Sequence, residues 1–205
     1  MATKKEEIFA QINKFHQIDN NIIEKLEEFV KILLNYNKKY NLIGKSTIDD
    51  IWQRHILDSA QLIKFIKDKN LILGDFGSGS GLPAIILSIL GVKNVHLIEK
   101  SFRKCEFLEI ARKTSENNIT IHQKKAEEIH GVKFDIITSR AFAPLDKIIK
   151  TTQPFLKKDT MAILPKGKNI VNELQLIKKY NKINYEIQPS LTSKEGNILI
   201  INNFL

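Results

Sequence analysis

With a single cysteine, Cys105, the chain forms no internal disulfide and no cysteine zinc cluster. No apolar run approaches the length needed to span a bilayer, and the opening stretch MATKKEEIFAQINKF lacks the apolar centre of a signal peptide. A cytoplasmic location and no membrane partner are expected. The histidines, His16, His55, His96, His122 and His130, are scattered without a pair at metal-ligand spacing, so no metal is expected. Repeats and low-complexity linkers are missing as well. What is present is an ordinary globular composition, 42% apolar and 27% charged over 205 residues, enough for one domain with or without an extension. Lys and Arg number 32 against 23 Asp and Glu, a formal +9 that suits a polyanionic partner such as nucleic acid. A lysine-rich proteome would give the same bias.

Residues 4 to 69 show helical spacing only, in sets such as Leu26, Phe29, Val30 and Leu33, then Ile51, His55, Ile56 and Leu62, with a break at NLIGKST. His55 falls on the apolar side of its helix, where a satisfied core histidine is the expected role. From Leu71 the period changes. Strands are predicted near 71–75, 94–98, 119–123, 133–138, 160–164, 183–188 and 197–202, with helices between the first three strands and again around 144–156 and 168–179. Such crossovers imply a mostly parallel α/β sheet. The final two strands are joined through Pro189 and Gly196 by a loop too short for a covering helix, which predicts one antiparallel edge strand. The expected division is an N-terminal helical cap at 1–69 and a ligand-binding domain at 70–205, folded as one compact unit.

The stretch LILGDFGSGSGLPAIILSIL, 71–90, is the most informative. A buried strand ends at Asp75, Gly77, Gly79 and Gly81 alternate with small residues, and a helix follows Pro83. Glycine at alternate positions removes Cβ atoms where the chain turns sharply and a ligand approaches its backbone. A dinucleotide fingerprint needs GxGxxG, but Leu82 stands where the third glycine should be. The observed GxGxG after an acidic residue resembles motif I of S-adenosylmethionine-dependent methyltransferases.

Ligands in such sheets sit beyond the carboxyl ends of the strands. There Glu99 could accept from both hydroxyls of a ribose, Ala126 and Glu127 could meet an adenine edge, and Arg140 could hold a phosphate or a carboxylate. Phe142 could stack on a base. The segment after the fourth strand reads SRAF rather than the (D/N)PP(Y/F) tetrad of adenine amino methylases. Cys105 lies in a helical run, not where a pyrimidine C5 methylase keeps its nucleophile. The acceptor then needs neither covalent help nor deprotonation, and N7 of guanine fits; no catalytic base is expected. In-line positioning alone can supply roughly 7 to 11 kcal/mol.

NKKYNLIG at 37–44, RHILDS at 54–59, DFGSGSGLP at 75–83 and SRAFAPL at 139–145 together resemble the bacterial 16S ribosomal RNA guanine-N7 methyltransferases, the glucose-inhibited division protein B family. The resemblance covers residues 35 to about 165. It implies a seven-stranded Rossmann-like class I methyltransferase sheet behind a helical extension, S-adenosyl-L-methionine as cofactor, and methylation of N7 of a guanine in the 530 loop of 16S ribosomal RNA or the small ribosomal subunit, with no obligate protein partner. By motif position the cofactor contacts would be Gly77, Leu82, Ala126, Glu127 and Arg140, to which the backbone and ribose arguments add Gly79 and Glu99. Lys38, Lys39, Lys125 and Lys166 are the expected RNA phosphate contacts. Three departures stand out: Ala84 where the family has glycine, Lys125 where it has arginine, and Gly196 with Asn197 where it often has a basic residue. Two other readings stay open, a methyltransferase of this fold acting on a small molecule and an RNA-binding protein that keeps the fold without the cofactor.

Overall fold

The computed structural model describes residues 3–178 and 183–203. Helix α1, Lys4–Asn13, starts with a capping box in which Thr3 and Glu6 satisfy each other's backbone donors. Helix α2, Asn20–Tyr40, is capped by the Asp19 carboxylate, which accepts from the Ile22 amide, and it ends at Asn41 in the left-handed conformation. Its buried stripe of Leu26, Phe29, Val30 and Leu33 has the three-to-four spacing of one helix face. The next segment is irregular: a π-helical turn, Trp52–Leu57, runs into the short α3, Asp58–Ala60, and a 3-10 turn, Gln61–Phe65. Phe9 of α1 meets Trp52 edge to face at 5.3 Å.

The sheet has seven strands, β1 Ile72–Phe76, β2 Asn94–Ile98, β3 Asn118–His122, β4 Phe134–Thr138, β5 Leu156–Lys166, β6 Asn184–Pro189 and β7 Asn197–Asn203. Their order is β3-β2-β1-β4-β5-β7-β6, parallel from β3 through β5. The antiparallel strand expected at that edge is β7, which lies between β5 and β6 and pairs antiparallel with both. Helices α4, Ala84–Ile89, and α5, Phe102–Ala111, cross between the first three strands, whereas α6, Leu145–Thr152, and α7, Ile170–Lys178, flank β5.

Alternate residues of the strands feed two apolar clusters. Leu73, Val95, Leu97, Ile163 and Ile200 join α2, α4 and α5 in one, while Phe76, Ile98, Ala162, Leu164 and Leu199 join α6 and α7 in the other. A parallel sheet covered on both faces must be apolar on both, and this one is. The N-terminal helices share the first cluster with the sheet. Strand order reverses on either side of β1, so the carboxyl end of β1 is the switch point at which such sheets bind ligands.

Candidate functional site

At that end the glycines adopt the conformation that only glycine accepts freely. Gly77, Gly79 and Gly81 have φ of 72°, 53° and 71°. At Gly77 a side chain is further barred by the Phe142 ring, which would lie 2.3 Å from a Cβ. The turn is pinned to β2: the amides of Gly77 and Ser78 donate to the Ile98 carbonyl at 2.9 and 3.1 Å. Ala84 is already helical and fully buried, so glycine's freedom is not needed there.

Glu99, buried at the end of β2, accepts from the Gly79 amide at 3.1 Å with one oxygen and from the Ser101 amide at 2.8 Å with the other. It therefore ties the glycine loop to the start of α5. Beneath the loop Asp75 is buried, with one oxygen accepting from the Thr138 hydroxyl at 2.7 Å and the other without a partner among the described residues. Burial lifts its acid to about 7. Cys105 packs here too, its thiol directed at the Glu99 carbonyl at 3.3 Å and pushed up to about 11 by burial and then by the nearby Glu99 charge. It fills space rather than attacking a substrate.

Two cavities adjoin at the loop and share Gly77, Lys104 and Ala141 as walls. The smaller, about 380 Å3, is lined by Glu99, Ala126, Glu127 and Phe142, with Lys125 on its rim. Ala126 and Glu127 lie in a 3-10 turn directly after β3. The larger, about 620 Å3, is lined by Gly77, Gly79, Leu82 and Arg140. All seven residues expected to hold the cofactor thus face one of two neighbouring spaces.

The larger cavity also has a wall that the sequence reading did not anticipate. Arg140 donates to the Asp58 carboxylate at 3.3 Å and to Nδ1 of His55 at 3.1 Å. Because Nδ1 accepts from arginine, Nε2 carries the proton and donates to Thr47 Oγ1 at 2.8 Å, and the Thr47 hydroxyl donates onward to the Gly44 carbonyl at 2.7 Å. Burial, then the Arg140 and Arg54 charges, depress His55 to about 4, so it is neutral at pH 7. His55 is buried and satisfied, as expected, but by polar groups facing a cavity instead of by the apolar core. The π-helical turn carries it there, a feature often found at functional sites. On the far side Asp58 accepts from the Thr192 hydroxyl at 2.7 Å and from Gln61 at 3.1 Å, while Gln61 accepts from the Leu191 amide at 2.8 Å. The signal in the sequence was Arg54, His55 and Asp58 crowded into five residues of an otherwise largely apolar pattern.

Of the residues expected to meet RNA, Lys38 and Lys39 are exposed in the last turn of α2, with Lys39 Nζ 4.8 Å from the Tyr40 ring centre, and Lys125 is exposed. Lys166 is not a free surface cation. Its side chain is 9% exposed and Nζ lies 2.7 Å from the Glu173 carboxylate.

The doubly wound sheet with a glycine loop at its switch point defines a class I methyltransferase fold. Among solved structures, the ribosomal protein L11 methylase from Lactobacillus delbrueckii subsp. bulgaricus superposes with a TM-score of 0.61 at 20% identity, covering 74% of this chain and 79% of that one. A TehB-like SAM-dependent methyltransferase from Corynebacterium glutamicum gives 0.59 at 14% identity, covering 83% and 97%. The family model described as rRNA small subunit methyltransferase G matches residues 22–201. The ribosomal RNA small subunit methyltransferase G of Rickettsia massiliae is 45% identical over 187 residues, 91% of this chain and 96% of that protein, and its Rickettsia akari counterpart is 43% identical over the same length. The chain belongs to the rRNA small subunit methyltransferase G family.

Proposed function

We propose that the protein methylates N7 of a guanine in the 530 loop of 16S ribosomal RNA, using S-adenosyl-L-methionine, by direct in-line attack without a covalent intermediate. The observation that carries this reading is the convergence of seven residues from four strand ends on two adjoining cavities, in a chain of this family. The cradle fits the cofactor: glycines with positive φ leave the backbone open, and a buried carboxylate stands beside them. When bound, the cofactor supplies an electrophilic sulfonium methyl.

The protein's own residues hold and orient. Glu99 spends two acceptor sites on backbone amides, and a carboxylate offers about four, which leaves room for two ribose hydroxyls. Ala126 and Glu127 would border the adenine, Leu82 and Gly79 the chain leading from the ribose, and Arg140 the cofactor carboxylate through its remaining donors. Neutral His55 takes an Arg140 hydrogen bond without adding a competing charge. N7 bears a lone pair and no proton, so it would take the sulfonium methyl directly and no base would be needed. On this reading residues 1–69 cap the 70–205 domain as one unit, the enzyme is cytoplasmic, and Lys38, Lys39 and Lys125 meet phosphate.

Deleting the gene should remove N7-methylguanine from the 530 loop, read by mass spectrometry of 16S RNA, and supplying it again should restore the mark; persistence of the mark in the deletion strain refutes the reading. Affinity for the RNA should also fall by roughly tenfold or more between about 50 and 200 mM salt. A flat response would favour a small-molecule acceptor.

A further inference from the structure

The ion pair of Lys166 and Glu173 faces a cavity beside the proposed cofactor site. Lys166 ends β5 and Glu173 lies on α7, their charged atoms 2.7 Å apart, with side chains 9% and 25% exposed. The same Glu173 oxygen, Oε2, accepts from the Leu145 amide at 2.8 Å, and no described residue donates to Oε1. A partly buried ion pair adds little net stability, and Oε1 leaves Glu173 able to accept from a ligand in the cavity that the pair lines. The pair lines a third cavity of about 370 Å3, within the roughly 300 to 1,000 Å3 of small-molecule sites. Arg140, Ala141 and Gly167 line both this cavity and the larger one, while Ala143, Ile148 and Pro165 give it apolar walls against which a flat ring can lie.

We propose that Lys166 and Glu173 read the target guanine in this cavity, Lys166 donating to O6 and Glu173 accepting from N1–H and the N2 amino group. The proposal rests on the guanine-N7 reading above. Guanine presents an acceptor next to two donors on its Watson–Crick edge, the complement of an ammonium next to a carboxylate. Adenine presents an amino group to the lysine and a lone pair to the carboxylate, so donor meets donor and acceptor meets acceptor, the kind of mismatch that gives strong discrimination. Holding that edge leaves N7, on the neighbouring edge, free to react. The cavity's shared boundary at Arg140 and Ala141 places the base beside the space assigned to the methyl donor.

Small ribosomal subunits reconstituted with either guanine or inosine at the target position, and lacking the methyl mark, provide the test. Inosine keeps O6, N1–H and N7 but lacks the N2 amino group. Wild-type kcat/KM should fall about tenfold on inosine; Glu173→Gln should be about tenfold slower on guanine and lose nothing further on inosine. Lys166→Gln leaves the Glu173–Leu145 bond intact, should lose about tenfold on either template, and decides the matter if Glu173→Gln does not fold. Calorimetric affinity for S-adenosylmethionine should stay within about twofold in both variants. An equal inosine penalty in wild type and Glu173→Gln, an undiminished guanine rate in either variant, or a parallel loss of cofactor affinity overturns the proposal. If wild type forms no N7-methylguanine on the guanine template, the parent reading fails and the pair's role with it.

Discussion

The smaller cavity at Gly77 is walled mostly by residues that follow the ends of strands β1 to β4, whereas the larger is closed by side chains that meet across 82 to 134 residues of chain. One is a property of strand ends and turns. The other exists only when the N-terminal helical segment, the loop after β4 and the loop at 190–196 are all in place. Damage to the first should act locally on cofactor binding, and damage to the second should spread among partners that hold one another.

Four measurements can break or sharpen that contrast. The largest effect should come from Gly77→Val, where strain on the order of 1 to 3 kcal/mol adds to a clash with Phe142 and to occupation of the shared wall. Calorimetry should find cofactor affinity weakened by about 100-fold or lost, with the fold intact by circular dichroism. Next is Arg140→Ala, which leaves Asp58 and His55 without their cation; kcat/KM should fall by about 30-fold, on the scale of about 2 kcal/mol for charge-assisted hydrogen bonds. Arg140→Lys should recover only part of it, since the fork is lost.

The third concerns pH. His55 has a folded value near 4, below its ordinary 6.5, so between those values the unfolded chain binds more protons and stability climbs as pH rises. Asp75 has a folded value near 7, above its ordinary 3.8, so over that range its contribution shrinks as pH rises. The two oppose each other. Asp75→Asn should therefore steepen the gain in urea-unfolding stability from pH 4 to 7, by at most about 1.4 kcal/mol per pH unit, and His55→Gln should flatten it. Unchanged slopes in both variants would show that neither group titrates as its surroundings dictate. The smallest effect should be Thr192→Val, which removes the hydroxyl's hydrogen bonds to Asp58 and Ser190; a loss of roughly fivefold in kcat/KM, about 1 kcal/mol, is expected with cofactor affinity nearly unchanged.

The same contrast explains what the sequence could reveal. The glycine loop, Glu99 and the Ala126–Glu127 turn were legible because their positions obey local rules: where a strand ends, which residues tolerate positive φ, and which edge of the sheet receives ligands. The mostly parallel sheet was legible for a similar reason, since most of its crossovers leave a helix-length gap. The Arg140–His55–Asp58–Thr192 wall was not, because nothing local says that residue 58 will meet residue 192. His55 was legible as buried and satisfied, but its partners Arg140 and Thr47 were not, because they come from outside its own turn. Lys166 was legible as a cation but not as half of an ion pair, because its partner Glu173 is seven residues further on and lies on another element. Cys105 was read correctly from its helical neighbours alone.

Strand β7 has a consequence for how the enzyme comes into being. It is the last strand in the chain yet lies inside the sheet, and β6, made earlier, pairs with no other described strand. As the chain emerges, the only described strand that pairs with β6 is the one made after it, residues 197–203. Loop 190–196 joins these two strands, and from it Thr192 reaches Asp58. A nascent chain that has already made its entire glycine loop therefore still lacks one wall of the larger cavity.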